Sequence, residues 1–247
     1  MHNSPAHDDA GALAAVAALV GDPTRAGMLA RMLDGRAHTT SELARDRGVA
    51  LSTASQHLGR LVDGGLVEVV AQGRHRYHRL AGPEVAAVLE RLHGLAAATA
   101  PVAVRAPAGL AFARTCYDHL AGTVAVAVHD RLLAAGALVG DDAGTRLTPA
   151  GEATVATLGV PAGAITDRAT RGRPIARPCL DWTERRPHLA GRLGAALLDA
   201  FVAQGWVRRR PSSRAVDITT TGRRALAAHL GLDVDHLGHA ERSTSTV

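Results

Sequence analysis

The stretch TTSELARDRGVALSTASQHLGRLVDGGLVEVVAQGRHRYHRL, residues 39–80, decides the fold of the first part of this chain. Thr39 and Glu42 lie three residues apart, the spacing of a capping box in which a hydroxyl and a carboxylate exchange hydrogen bonds with the backbone at a helix start. Gly48 ends that helix, and Ser52 is placed to cap a second one. We therefore predict two short helices joined by a tight turn.

The second helix has one apolar face and one polar face. Its apolar residues recur at spacings of three and four, which places them on a single buried side: Leu51, Ala54, Leu58 and Leu61. The polar side chains that remain are Ser52, Thr53, Ser55, Gln56, His57 and Arg60. Because Gln pairs with adenine and Arg with guanine in the major groove, this face is typical of a helix that reads base edges.

A hairpin with a basic tip follows the second helix. Residues 66–70 and 77–80 are predicted strands around a turn that contains Gly73. The tip carries Gln72, Arg74, His75 and Arg76. The order helix, turn, helix, hairpin is that of a winged helix-turn-helix, whose second helix enters the major groove of double-stranded DNA while the wing contacts phosphates or the minor groove.

Helices are also predicted on both sides of this motif. An alanine-rich helix covers residues 10–20, and the next helix has Asp22 as N-cap and Pro23 in its first position. A further helix follows the wing from residue 84 to about 98. We assign these segments to a flexible N-terminus (1–9), a winged helix-turn-helix DNA-binding and dimerisation domain (10–98) and a linker (99–110).

Residues 19–90 resemble the DNA-binding domain of the ArsR family of bacterial repressors. The resemblance rests on the segments Asp22-Pro23-Thr24-Arg25, Ser41-Glu42-Leu43-Ala44, Ser52-Thr53-Ala54-Ser55-Gln56-His57-Leu58 and Gly73-Arg74-His75-Arg76-Tyr77. It implies a homodimer that associates through the first helix and the helix after the wing. It also implies a pseudopalindromic operator and repression that an inducer relieves.

The rest of the chain contains an internal repeat. His119-Leu120-Ala121-Gly122 recurs as His188-Leu189-Ala190-Gly191, and Leu147-Thr148-Pro149-Ala150-Gly151 is echoed by Ile218-Thr219-Thr220-Thr221-Gly222. We predict two winged-helix-like units of helix, hairpin and helix, so the fold class is mainly α with small β-hairpins. The predicted segments are repeat 1 (111–159), a basic connecting loop (160–178), repeat 2 (179–232) and a flexible tail (233–247).

Both cysteines lie in the repeats, each near a histidine. Cys116 and His119 are three residues apart, which places them on one face of a predicted helix. Cys179 and His188 are their counterparts, although six extra residues break the spacing. If the repeats pack about a pseudo-two-fold axis, the four side chains converge on a site suited to zinc, or the thiols alone capture trivalent arsenic. The alternative is that no cofactor binds, because free Cys side chains are commonly half-buried between packed repeats.

The sequence also bears on two other kinds of sensing site. Members of the ArsR family that sense soft metals typically carry Cys in the first helix of the helix-turn-helix, but residues 41–47 contain none. The helix after the wing offers His93 as its one imidazole. A small organic effector bound between the repeats is a third alternative, with Tyr117 and Trp182 as its candidate aromatic residues.

Composition narrows the function classes. The chain has 247 residues, and its two Cys are too few for a disulfide scaffold. Its formal charge of +5 favours an anionic partner. That charge does not identify the DNA-reading domain, because residues 1–98 contain 10 Arg and 10 acidic residues. The sequence has no nucleophile elbow, phosphate-binding loop or dinucleotide turn, and no apolar run of the roughly 20 residues that span a membrane. We therefore predict a cytoplasmic protein that is neither an enzyme nor a membrane protein.

Together these observations predict a homodimeric transcriptional regulator that binds a specific sequence in double-stranded DNA. We expect a repressor released by an inducer that the C-terminal repeats sense. The alternative is a constitutive or architectural DNA-binding protein whose repeats only support assembly.

Overall fold

The structure, a computed structural model, describes residues 9–73, 75–99, 107–141, 144–165, 172–211 and 213–237. Arg74 lies outside the described residues, as do most of the predicted linker and much of the predicted N-terminus, basic loop and tail. The chain divides into an N-terminal unit, Met1–Leu89, and a C-terminal unit, Glu90–Val247. Across the described ranges, every helix is too short or too polar to cross a membrane.

The N-terminal unit has the order of elements expected of a winged helix-turn-helix. Its elements are α1 (Asp9–Val20), α2 (Pro23–Met32), β1 (His38–Thr39), α3 (Thr40–Arg47), α4 (Leu51–Asp63), β2 (Val67–Gln72) and β3 (His75–Leu80), and α5 (Pro83–Thr99) continues into the C-terminal unit. β1, β3 and β2 form one antiparallel sheet in that order. The predicted hairpin is therefore confirmed as β2 and β3.

Local sequence explains where the first helices begin and end. The side chain of Asp22 accepts a hydrogen bond from the backbone N–H of Arg25 at the start of α2. Thr39 and Glu42 form the predicted capping box of α3. Gly48 ends α3 with a φ of +64°, the left-handed conformation that glycine adopts without strain.

The start of α4 differs from the prediction. The helix begins at Leu51 with Ala50 as its N-cap, which has no side-chain oxygen, so Ser52 lies inside the first turn and does not cap the helix. Leu51 is 55% exposed, because it stands at the first helical position, before the turns that bury Ala54, Leu58 and Leu61. The apolar face is thus confirmed from Ala54 onward.

A buried carboxylate after α2 takes part in hydrogen bonds that link α2 with β1 and α3. Asp34, whose side chain is 2% exposed, accepts hydrogen bonds from Arg31 at 2.5 Å and from His38 at 2.9 Å. Arg31 also donates to Asp46 of α3 at 2.8 Å. Burial alone raises the pKa of Asp34, but the hydrogen bond and charge of His38 and the charge of Arg31 lower it overall.

We expect Asp34→Asn to lower the free energy of unfolding by about 1.5–3 kcal/mol at neutral pH, because it removes hydrogen bonds to a charged group. The folded pKa is below the unfolded one, so the carboxylate stabilises the fold above about pH 4 and this contribution is lost as the pH falls. The deficit of the variant should therefore shrink at pH 3. Denaturant unfolding of the wild type and of Asp34→Asn at neutral pH and at pH 3 measures this difference in the free energy of unfolding. An equal difference at both pH values would contradict the prediction. Glu68→Gln, which removes the exposed pair with Arg79, is the control and should cost under about 1 kcal/mol.

The C-terminal unit contains the same order of elements twice: hairpin, helix, hairpin, helix. The first copy consists of β4 (Arg114–Cys116), β5 (His119–Ala121), α7 (Thr123–Ala134), β6 (Leu138–Asp141), β7 (Gly144–Leu147) and α8 (Pro149–Thr157). The second consists of β8 (Arg177–Leu180), β9 (Pro187–Ala190), α9 (Gly191–Ala203), β10 (Val207–Arg209), β11 (Val216–Ile218) and α10 (Thr220–Leu230). A short helix, α6 (Ala108–Phe112), precedes the first copy, and a 3-10 turn, Ala162–Ile165, lies between the two.

The predicted order of helix, hairpin and helix is therefore incomplete, since each copy starts with a short hairpin. Cys116 and His119 face each other across β4 and β5 and do not share a helix face. Tyr117 and Asp118 form the turn between them, and the φ of Tyr117 is +61°, outside the right-handed helical region. The helix begins only after Gly122, whose φ is +92°.

One hydrophobic core runs through both copies. Phe201 and Trp206 are 1% and 6% exposed and belong to it. Leu232 and Val234 belong to it as well. Residues 233–237 of the predicted flexible tail are therefore held against the core through the buried Val234, and the rest of the predicted tail lies outside the described residues.

Candidate functional site

The polar face of α4 is available to a partner of this unit. Ser52, Ser55, Gln56 and Arg60 are exposed, and Thr53 is half-buried. The opposite face of the helix is held by the buried residues Ala54, Leu58 and Leu61. The helix thus presents hydroxyl, amide and guanidinium groups on one side, which suits hydrogen bonding to base edges.

His57 is the exception among the predicted base-reading residues. Its side chain is 18% exposed, and its Nδ1 lies 3.6 Å from Oδ1 of Asp22, the N-cap of α2. The imidazole therefore faces the junction of α2 and α4, where a charge on it would pair with Asp22.

The wing presents polar side chains at its tip. Gln72 and His75 are paired across the last rung of β2 and β3, and both are exposed, as is Arg76. Gly73 turns the chain with a φ of +59°. Arg74, the remaining predicted wing residue, falls outside the described residues.

Two arginine side chains of this surface form no ion pair with a carboxylate within the described residues. Within the described part of the chain, Arg60 and Arg76 have no carboxylate partner, whereas Arg79 pairs with Glu68 at 2.5 Å. An unpaired guanidinium beside a polar helix suits phosphate or guanine contacts. The basic character of the N-terminal unit is thus local, although its formal charge is balanced.

A second constellation lies in the C-terminal unit, where the two first hairpins meet. Cys116 faces His119 across β4 and β5, and Cys179 faces His188 across β8 and β9. The six extra residues of the second copy lie in the loop between β8 and β9, so they leave the pairing of Cys with His unchanged. The four side chains, which we call the Cys/His cluster, are the predicted sensing residues, and the structure brings them together.

The cluster is compact and largely buried. All four ligand atoms lie within 4.8 Å of one another. The two Sγ atoms are 4.0 Å apart, and the two Nε2 atoms are 3.1 Å apart. Cys116, His119 and His188 are at most 3% exposed, and Cys179 is partly accessible.

Each imidazole has a carboxylate behind it. Nδ1 of His119 is 3.1 Å from Oδ1 of Asp118, and Nδ1 of His188 is 3.5 Å from Oδ2 of Asp181. The second contact is an ion-pair distance, too long or poorly aligned for a hydrogen bond. The carboxylates are themselves paired, Asp118 with Arg173 and Asp181 with Arg114.

These contacts change the pKa of the two carboxyl groups and of the two thiols. Burial alone raises the pKa of Asp118 and Asp181, but His119 and Arg173 at the first and Arg114 at the second lower both to about 2. The hydrogen bond from Cys116, followed by those from the two imidazoles, lowers the pKa of Cys179, whereas the same bond and burial raise that of Cys116. Without a metal ion, Cys179 therefore loses its proton before Cys116.

Asp118 and Asp181 were not singled out as functional from the sequence. The signal that could have identified them is the pattern Cys-x-Asp, which occurs as Cys116-Tyr117-Asp118 and again as Cys179-Leu180-Asp181. Once each Cys is placed on a strand, the Asp falls in the following turn, near the paired His.

The candidate effector residues have separate surroundings. Trp182 lies over Arg114, whose guanidinium carbon is 4.9 Å from the ring centre, and 6.0 Å from the ring of His93. Tyr117 lies in the β4–β5 turn. A small apolar cavity of about 20 Å³ is lined instead by Leu120, Ala125, Val128, Leu189, Gly194, Leu197 and Phe201. The effector pocket therefore stays a prediction.

Comparison with known proteins points to a regulator. A family model described as a helix-turn-helix domain matches residues 20–70. YdfF of Bacillus subtilis (strain 168), described as an uncharacterized HTH-type transcriptional regulator, is 37% identical over 225 residues, 90% of this chain and 98% of the relative. That similarity therefore extends through both units.

Solved structures are similar to a smaller part of the chain. The homodimeric winged helix-turn-helix DNA-binding domain Mb0332 from Mycobacterium bovis, a possible ArsR-family transcriptional regulator, is 27% identical and covers 43% of this chain and 99% of its own, with a TM-score of 0.37. The cadmium metal-sensor CMTR from Mycobacterium tuberculosis is 30% identical and covers 38% and 94%, with a TM-score of 0.30.

Proposed function

We propose that this protein, which belongs to the ArsR family of winged helix-turn-helix transcriptional regulators, is a homodimeric repressor that binds a pseudopalindromic operator and is released by an inducer sensed in its C-terminal unit. The observation that carries the proposal is the exposed polar face of α4 beside the wing, with Arg60 and Arg76 unpaired within the described residues. This arrangement supplies both base-edge and phosphate contacts.

Exposed apolar residues support the dimer. Leu13 and Val16 of α1 are 71% and 41% exposed, and Val88, Leu92 and Leu95 of α5 are 41–59% exposed. The three α5 residues are spaced by four and three positions, so they share one face of that helix. Apolar faces on the helices before and after the DNA-reading motif suit association with a second copy.

The inducer must favour one of two dimer arrangements. A ligand shifts such an equilibrium only by its difference in affinity for the two states. The DNA-bound arrangement requires recognition helices about 34 Å apart, one turn of DNA. An inducer that binds better to a different spacing would release the operator.

The proposal is tested by titrating the full chain on the DNA upstream of its own gene, with shuffled DNA as control. We expect a dimer to bind the upstream DNA at least about 10³-fold more tightly than the shuffled DNA. Arsenite, zinc and a thiol oxidant are then added in turn to the complex, and release by one of them supports the repressor. Equal affinity for both DNAs would contradict specific recognition. Specific binding that no addition weakens excludes these three inducers and leaves a small organic effector or the alternative, a constitutive or architectural protein.

The wing can be tested by its salt dependence. We expect Arg74→Ala with Arg76→Ala to weaken binding to all DNA sequences alike and to lower the slope of log affinity against log salt by about 2, because two phosphate contacts are lost. Arg79→Ala is the matched control, since its guanidinium already pairs with Glu68. A slope unchanged in the double variant would show that the wing does not contact phosphates.

A further inference from the structure

We propose that Cys116, His119, Cys179 and His188 bind one zinc-type divalent cation in tetrahedral coordination, two ligands coming from each copy of the repeat. Two thiolates and two imidazoles are a donor set that zinc takes in structural sites. The inference goes beyond the proposed function and does not depend on DNA binding.

The distances within the cluster match the edges of a coordination tetrahedron. With zinc bonds of about 2.0–2.1 Å to nitrogen and about 2.3 Å to sulfur, the edges are about 3.3–3.4 Å between nitrogens and about 3.8 Å between sulfurs. The structure has 3.1 Å between the Nε2 atoms and 4.0 Å between the Sγ atoms. These two edges need shifts of only a few tenths of an ångström to reach the ideal values, and all four ligand atoms lie within 4.8 Å of one another.

The two imidazoles point to a cation between them. A carboxylate at Nδ1 holds the proton on that nitrogen, as Asp118 does for His119, and leaves a lone pair on Nε2. Asp181 lies 3.5 Å from Nδ1 of His188 without a hydrogen bond, so it takes the same role only after a small shift. The two Nε2 atoms lie 3.1 Å apart, so without a metal ion one imidazole donates a hydrogen bond to the other, and a cation bound between them would take a lone pair from each.

The outer contacts are those that orient metal ligands. A carboxylate behind each imidazole is the usual partner of a zinc-bound histidine. Here Asp118 and Asp181 are both held by arginines, and the Arg114–Asp181 pair is completely buried. Both copies supply the same set of Cys, His and Asp, which a plain core contact between repeats does not require.

Other uses of the thiols explain less of the geometry. A disulfide needs a sulfur separation of about 2.05 Å, well below the 4.0 Å found, and gives the imidazoles no role. A trivalent arsenic held by the thiols alone would leave the two imidazoles without a role as ligands. Coordination of one ion by all four side chains accounts for the closeness of the two Sγ atoms and for that of the two Nε2 atoms.

The test uses the full chain, reduced and freed of metal by a chelator, and titrated with Co²⁺ as a spectroscopic substitute for zinc. We expect one Co²⁺ per chain, with the visible bands of tetrahedral Co²⁺ and a thiolate charge-transfer band, all displaced by Zn²⁺. Cys179→Ser and His188→Gln should each weaken binding by more than about 100-fold, the upper end of what outer-shell changes cost. His229→Gln, an exposed imidazole of α10, is the matched control.

A positioning variant guards against misfolding. Asp118→Asn keeps all four ligands and should weaken Co²⁺ binding by about 10–100-fold while retaining the tetrahedral spectrum. Circular dichroism of each metal-free variant shows whether it folds.

Three results would overturn the proposal. They are a reduced wild-type chain that takes up neither Co²⁺ nor Zn²⁺, a folded His188→Gln variant that binds as tightly as wild type, and binding of arsenite by a chain that leaves Co²⁺ free. A chain that binds metal but shows no preference for its upstream DNA would support the metal site and overturn the proposed function. A chain that binds this DNA specifically but takes up no metal would overturn the metal site and leave the proposed function standing.

Discussion

Asp181→Asn is expected to destabilise the C-terminal unit by about 3–5 kcal/mol, because it leaves the buried Arg114 guanidinium without a charge partner. Both side chains are completely buried, and Nη2 of Arg114 donates to Oδ2 of Asp181 at 3.0 Å. The carboxylate also accepts hydrogen bonds from the backbone N–H of Gly122 at 2.6 Å and from the Thr183 hydroxyl at 2.6 Å. The asparagine keeps the shape of the side chain but not its charge.

Denaturant unfolding in the presence of a chelator measures this effect apart from metal binding. The control is Asp217→Asn, because Asp217 pairs with Arg208 and Arg210, whose side chains are 75% and 49% exposed. It should cost under about 1 kcal/mol. If Asp181→Asn costs no more than this control, the buried pair with Arg114 does not stabilise the unit.

Gln56→Ala is expected to lower affinity for the operator by about 1–3 kcal/mol, a loss of roughly 5–150-fold, because a bidentate contact to a base is removed. Affinity for unrelated DNA should stay unchanged, so the variant loses specificity more than binding. The side chain is exposed on α4, on the face opposite Leu58.

The affinities of wild type and Gln56→Ala for operators with single base changes measure the loss of specificity. Gln72→Ala is a matched control, since it removes the same side chain from the wing, where contacts to phosphates carry no sequence information. It should weaken all sequences alike. If Gln56→Ala preserves the wild-type ranking of operator variants, α4 does not read bases through this residue.

Most of the N-terminal unit could be predicted from the sequence because its signals are local. Asp22, Thr39, Glu42 and Gly48 act within three or four residues of themselves, and each caps or ends a helix as predicted. The predicted start of α4 is wrong, because Ser52 is a good capping residue by type, whereas the helix starts at Leu51 with Ala50 as an N-cap that has no side-chain oxygen.

The first hairpins of the two repeats could not be predicted in the same way. Cys116 and His119 are separated by three positions, a spacing that fits a helix face as well as a two-residue turn between strands. The strands are only three or four residues long, too short for an alternation of apolar and polar residues to be visible.

The sequence by itself determined the winged helix-turn-helix, its polar recognition face and the presence of two matched Cys and His pairs. Only the tertiary structure decided that these pairs meet, because that depends on strand pairing within each hairpin and on the packing of one hairpin against the other. The six residues that break the spacing along the chain are accommodated in a loop. A loop changes separation in sequence without changing the register of the strands that it joins, and register is what places Cys179 opposite His188.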